Sequence, residues 1–209
     1  MQNEVPKQFL ELDGKPLVYH TIKKFLDFSP SLHIVLVLPK TSMPFVSFKE
    51  DHFPGDPRIY VVAGGETRFH SVQNGLNAIP EDEGIVFIHD GVRPFVSNKV
   101  LETCLDEALR IGNAIPCIGL KDSLRQVDEE GNRAVLRSGF RAVQTPQSFR
   151  IAIIKKAYEQ EYDPAFTDEA SVFEASGETV HLVEGNDENI KITTPLDFEL
   201  AKYLLVKMV

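Results

Sequence analysis

The sequence predicts one α/β domain: a single doubly wound, mostly parallel sheet with a projecting β-hairpin arm. Three observations predict it. Short β-branched runs alternate with longer segments of helical period, which favours parallel strands covered on both faces. The 209 residues are enough for one substantial core, and 43% hydrophobic with 25% charged residues is a globular composition. Beyond Gly119 the alternation gives way to two polar strands around a turn.

Lys15–Phe28 places Leu17, Val18, Thr21, Ile22, Phe25 and Leu26 on one face and is expected to be an amphipathic helix. His33–Leu38 is a near-continuous apolar run ending at Pro39, the pattern of a strand buried on both faces. Arg58–Val62 reads the same way and runs into Gly64-Gly65. A helix over Thr67–Ala78, a strand over Gly84–His89, a helix over Asn98–Ile111 and a strand over Ala114–Ile118 continue the rhythm. Ser123–Val127 and Arg133–Arg137 then flank Asp128–Asn132, a polar segment with turn chemistry. This arm, about residues 119–140, buries little by itself and is expected to pack on a partner subunit in a homodimer. A short run at Arg141–Val143 follows, with helices at Arg150–Glu161, Asp168–Ser176 and Pro195–Lys207 and a strand at Thr179–Val183. With no internal repeat or linker, residues 1–209 read as one domain.

A net charge of -9 weighs against duplex nucleic acid, whose phosphates call for a basic face. It is compatible with small anionic ligands, because a few cations gathered in one cleft reverse the local field. No apolar run approaches the ~20 residues of a membrane span. Met1–Pro6 has neither a basic segment nor an apolar one, so no leader is expected. Cys104 and Cys117 lack metal-ligand spacing and read as small buried thiols of a reducing, cytoplasmic setting.

In open α/β sheets ligands bind beyond the carboxyl ends of the strands. Four loops are expected there: Ala63–Ser71, His89–Pro94, Gln144–Gln147, and Glu184-Gly185 leading to Asn189–Pro195. Any one of them is an ordinary polar loop; four at one sheet edge make a site. Gly64-Gly65 lets backbone approach a ligand closely, and Ser71 falls in the first turn of the following helix. His89, at a strand end, reads as a hydrogen-bonded structural histidine. Asp90 is placed to hold Mg2+ or a sugar hydroxyl, and Arg93, fixed by Pro94, to clamp a phosphate. Thr167 is expected to cap the next helix, with Asp168 and Glu169 favourable to its dipole.

His89-Asp-Gly-Val-Arg-Pro94, preceded by Val86-Phe-Ile88, resembles the signature of the methylerythritol-phosphate cytidylyltransferases of non-mevalonate isoprenoid synthesis. The other landmarks occur in that family's order: Pro6–Phe9, Ala63–Glu66 with Arg68 and Ser71, Lys121–Ser123, Arg137, Gln144–Gln147, Thr167–Ser171 and Asn189–Lys191. The resemblance spans essentially the whole chain. It implies a Rossmann-like nucleotidyltransferase sheet and transfer of CMP from CTP to 2-C-methyl-D-erythritol 4-phosphate, with Mg2+ as cofactor and pyrophosphate as the second product.

The resemblance also implies residue roles. Lys7 and Arg137 carry catalysis, Lys7 on the CTP phosphates and Arg137 reaching the neighbouring subunit's polyol phosphate. Gly65, Glu66 and Ser71 line the cytosine pocket, and Asp90 and Lys191 complete the CTP site. Arg93, Ser123, Thr145 and Thr167 surround the polyol phosphate; Ser123 stands where the family has threonine, which keeps the hydroxyl. The family begins with a strand and a glycine-rich loop ending in Arg, ahead of the position of Met1. That strand is central, and its neighbours would leave backbone groups unpaired without it, so an upstream segment of ~20 residues is expected. A phosphate monoester nucleophile, with a second pKa of about 6, is already ionised near neutral pH and needs no general base. A ribitol-5-phosphate cytidylyltransferase shares nearly all of these motifs, and a non-catalytic nucleotide-binding protein is the alternative from another class.

Overall fold

The apolar runs become strands and the amphipathic segments become helices, close to the expected order. The computed structural model describes residues 6–40 and 47–208; the leader reading rests on Met1–Val5, outside them. A 3-10 turn at Lys7–Phe9 precedes the short hairpin of β1 (Glu11–Leu12) and β2 (Lys15–Pro16), closed by Asp13 and Gly14 at φ 51 and 70. α1 (Leu17–Phe28) buries the predicted stripe of Leu17, Val18, Ile22 and Phe25. β3 (Ile34–Leu38) and β4 (Ile59–Ala63) pair in parallel, in register from Ile34 opposite Ile59 to Leu38 opposite Ala63, with α2 (Ser47–His52) between them in sequence.

α3 (Arg68–Asn77) leads to β5 (Ile85–Ile88), and α4 (Asn98–Ile111) to β6 (Asn113–Gly119). Ser97 caps α4, and Gly112 ends it at φ 101, a left-handed C-terminal position that suits glycine. The arm is β7 (Leu124–Asp128) and β8 (Gly131–Val135), which pair only with each other. β9 (Arg141–Val143), β10 (Gln147–Arg150), α5 (Ile151–Ala157), α6 (Glu169–Ala175), β11 (Leu182–Glu184) and α7 (Pro195–Met208) complete the chain.

Among the described residues the strands do not form the expected single, mostly parallel sheet. The larger sheet is mixed, in the order β11-β6-β10-β5 with β9 also on β6, and β3 with β4 stands apart. Only β11 runs parallel to β6; β9 and β10 are antiparallel to it, and β10 is antiparallel to β5. The reason is the arm. It leaves from the carboxyl end of β6, so the returning chain re-enters the sheet from that edge and must run back.

Between β3 and β5 lies a cavity of about 990 Å³. α1 walls it on one side through Val18, Ile22 and Phe25, and α3 on the other through Val72, Gly75 and Leu76. Among the described residues β3 bonds only β4, and β5 only β10, so the edges they turn to the cavity carry no ladder. Ile34, Val35, Val37 and all of Ile85–Ile88 are therefore only partly buried, although their pattern is that of strands covered on both faces. The carboxyl ends of both strands lie at one edge: Gly64, past β4, abuts Ser71, and Asp90, past β5, faces Arg68, both on the first turn of α3. No helix among the described residues is long and apolar enough to cross a membrane.

Candidate active site

The loop leaving β4 is fixed by its own backbone and one hydroxyl. Gly64 N–H donates to the Leu38 carbonyl at 2.8 Å. Ser71 Oγ accepts from Gly65 N–H at 3.1 Å and donates to the Thr67 carbonyl at 2.9 Å. A Cβ on Gly65 would lie 2.4 Å from His70 Cβ, so only glycine lets the loop close on α3. Gly65 and Glu66 are thereby held exposed at the mouth of the site.

At the end of β5, His89 is the structural histidine its position suggests. Its Nε2 donates to the Arg93 carbonyl at 2.9 Å, leaving Nδ1 to accept from the Thr145 hydroxyl at 3.0 Å. That hydroxyl accepts Asp90 N–H at 3.1 Å. Burial holds His89 down at about 4, with the Arg93 charge acting in the same direction. It stays neutral and fixes the Asp90 backbone.

The Asp90 carboxylate collects cations from three segments. Lys191 Nζ stands 3.1 Å away, Arg93 Nε 3.2 Å and Arg68 NH2 3.8 Å. Burial alone would raise its pKa, but Lys191, Arg68 and Arg93 outweigh it and hold the group below the ordinary carboxylate range. Arg93 also donates to the Asn189 carbonyl at 2.7 Å and is largely buried, with 12% of its side chain exposed. The expected free phosphate clamp is thus already occupied on two of its nitrogens: Asp90 lies one turn away in the same loop, and the Asn189 carbonyl faces it. Lys191 keeps 43% exposure.

Arg68 forks onto Glu169, NH1 to Oε1 and NH2 to Oε2 at 2.9 Å. Glu169 is fully buried, and burial pushes its carboxyl above the usual range, the Arg68 fork offsetting part of that push. Gln147 donates to Asp168 Oδ2 and accepts Ala170 N–H, each at 2.8 Å, docking α6 on the sheet.

Asp168, not Thr167, caps α6. Its Oδ1 accepts Ser171 N–H at 2.9 Å while Ser171 Oγ accepts Asp168 N–H at 3.1 Å, a reciprocal capping box. Thr167, one residue earlier, donates its own N–H to Ser171 Oγ at 3.0 Å and stays exposed. Thr145 is buried, its hydroxyl spent on His89 and Asp90. Ser123 and Arg137 are exposed at the base of the arm, where Arg137 donates to the Lys121 carbonyl. Lys7 is exposed on the turn anchored by buried Phe9.

The fold therefore brings Asp90, Arg93, Lys191 and Thr145 together and joins them, through Arg68, to the Gly65–Ser71 loop. It leaves Lys7, Ser123 and Arg137 on exposed segments, with no hydrogen bond or ion pair to that cluster among the described residues. Arg68 and Glu169 were not expected in the site. Both stand within landmark segments, but a buried fork between residues 101 positions apart has no local signature. Arg68, Arg93 and Lys191 face Asp90 and Glu169, so the cluster carries a cationic excess suited to a polyanion. The Thr145 hydroxyl on His89 Nδ1 is buried and already holds Asp90 N–H, and the Cys104 thiol is pushed up to about 12 by burial, so neither is presented as a nucleophile.

Known proteins match this chain over nearly its whole length. Residues 1–207 match the family model described as IspD: 2-C-methyl-D-erythritol 4-phosphate cytidylyltransferase. The 2-C-methyl-D-erythritol 4-phosphate cytidylyltransferase of Bacteroides fragilis is 47% identical over 98% of this chain and 93% of its own length. That of Bacteroides thetaiotaomicron is 45% identical over the same shares. The crystal structure of the Thermus thermophilus enzyme of that name superposes with a TM-score of 0.79 at 33% identity, covering 96% of this chain and 94% of that one. The family model and these relatives span nearly all of a chain whose sheet edge gathers cations beside a glycine loop, and the chain belongs to the 2-C-methyl-D-erythritol 4-phosphate cytidylyltransferase family.

Proposed function

We propose that this chain transfers CMP from CTP to 2-C-methyl-D-erythritol 4-phosphate, releasing pyrophosphate and 4-diphosphocytidyl-2-C-methyl-D-erythritol. The observation that carries the reading is the convergence of Lys191, Arg93 and Arg68 on Asp90 beside the Gly65–Glu66 backbone. An oxygen of the acceptor phosphate attacks the α-phosphorus in line, and the leaving pyrophosphate departs opposite. Two polyanions must meet, so catalysis is mostly positioning and electrostatic stabilisation. Lys191, with its partly exposed ammonium, would meet the triphosphate. In this reading Gly65, Glu66 and Ser71 would shape the base pocket and Thr167, Ser123 and Arg93 would take the acceptor, Arg93 by exchanging its present partners.

Mg2+ is the proposed cofactor, but the donor set does not hold it alone. Both oxygens of Asp90 already face Lys191, Arg93 and Arg68, so the ion would ride chiefly on the triphosphate and water and neutralise charge there.

The exposed apolar residues of the arm and its base, Val127 at 75%, Leu136 at 83% and Phe140 at 46%, support a homodimer that covers them and carries Arg137 toward the partner's site. The cavity between β3 and β5 supports an apolar strand contributed from ahead of Met1. Among the described residues both bordering edges lack a ladder, and Val18, Ile22, Phe25, Val72 and Leu76 make the walls largely apolar. A mass of the natural protein equal to that of these 209 residues would refute that strand. The composition and thiols suit a cytoplasmic enzyme.

The deciding assay is pyrophosphate release with CTP and each polyol phosphate. Release with methylerythritol phosphate and none with ribitol 5-phosphate is the expected result. The reverse preference moves the acceptor, and tight CTP binding without turnover overturns the catalytic reading.

A further inference from the structure

Glu169 has no task in its own helix. The start of α6 is already satisfied by the Asp168–Ser171 capping box, and its docking by Gln147. Yet a carboxylate with none of its surface exposed sits at the first position of α6 and meets the first residue of α3 in a two-pronged fork. A buried ion pair is weak evidence for stability, because desolvation consumes most of its attraction, so its presence calls for another explanation.

The fork spans the site. α3 begins directly after the Gly64–Thr67 loop, and α6 directly after Thr167 and Asp168. Arg68 thus ties two walls at a fixed spacing. The same guanidinium stands 3.8 Å from Asp90 Oδ1, while Lys191 and Arg93 hold Oδ2 at 3.1 and 3.2 Å. Without Glu169, Arg68 is free to close on Asp90 and compete with Lys191 for it.

We propose that Glu169, acting through Arg68, is a positioning residue that sets the distance between the two substrate-binding loops and leaves Asp90 to Lys191. Glu169 holds both terminal nitrogens of Arg68, so the pair acts through Asp90 and the loops. The inference rests on the cytidylyl-transfer reading above.

The test is a set of variants in the pyrophosphate-release assay, each with its melting temperature. Glu169→Gln and Arg68→Lys keep volume or charge but lose the fork; kcat/KM is expected to fall about ten- to a hundredfold, as for a displacement near 1 Å. Arg68→Met combined with Glu169→Leu replaces the pair with apolar side chains and is expected to recover the melting temperature, since such replacements are often neutral or stabilising, while turnover stays low. A purely structural pair would recover both. Turnover of the apolar double variant, or of well-folded Arg68→Lys, within about twofold of the unaltered chain overturns the inference alone. Silence of the unaltered chain with every polyol phosphate overturns the reading and this inference with it.

Discussion

Acidification from pH 7 to pH 4.5 in metal-free buffer should expose the burial of His89. The imidazole is held at about 4 in the folded chain and returns to its ordinary 6.5 when the chain unfolds. The unfolded state binds the proton first, so the contribution is intact above the unfolded value and is lost as pH falls toward the folded one. At ~1.36 kcal/mol per unit the full span is ~3.4 kcal/mol, of which about 2 kcal/mol is lost between pH 7 and pH 4.5. The assay is urea unfolding at half-unit pH steps on the unaltered chain and on His89→Gln, which keeps a polar side chain but cannot titrate. His52, also held below its ordinary value, is present in both, so the difference between the two curves belongs to His89. Parallel curves would refute the argument, as would an imidazole C2 proton of His89 that titrates near pH 6.5.

Other perturbations test the loops. Gly65→Ala places a methyl 2.4 Å from His70 Cβ and 2.9 Å from the His70 carbonyl carbon, so the backbone must move and the Ser71 contact must break. A loss of about 1–3 kcal/mol in stability with weaker CTP binding is expected by calorimetry; an unchanged variant would remove the close approach from the account. Lys7→Ala should lower kcat on the order of a hundredfold or more, as for a lost transition-state donor, and near-normal turnover would take Lys7 out of the mechanism. Mixed dimers of Arg137→Ala with Lys191→Ala should regain activity from the one site that combines both intact residues; persistent inactivity would show that Arg137 does not act across subunits.

Much of this was legible in the chain. The Asn98–Ile111 helix is bounded by Ser97 and Gly112, both readable as caps, and its bounds coincide with those expected. The His89–Pro94 and Asn189–Lys191 segments pointed to the cluster that forms. β10 was not legible, because Gln147-Ser-Phe-Arg150 has little strand propensity and no alternation. Its place is decided by neighbours: Ile88 and Ala114 on either side leave room for one strand, and the arm fixes its direction. Glu169 was read as a dipole contact at a helix start, since complete burial of a carboxylate is a tertiary fact. The cap moved from Thr167 to Asp168 because Ser171, three residues on, answers Asp168 reciprocally.

The division of the strands into two sets has a consequence for how the molecule opens. Ladder hydrogen bonds make adjoining strands melt as one, and none runs from β3 to β5 among the described residues. The two halves communicate through side chains of α1, such as Phe25 among Val96, Val100 and Phe87, and through the Thr21 hydroxyl on the Gly91 carbonyl at 3.0 Å. For these 209 residues alone such a seam makes β3 and β4 a separate unit of amide exchange that can loosen while β5, β6 and β10 stay closed; a strand laddered to both, as proposed above, would join the two units. The Gly64–Thr67 loop hangs from that looser unit, while Asp90 belongs to the firmer one.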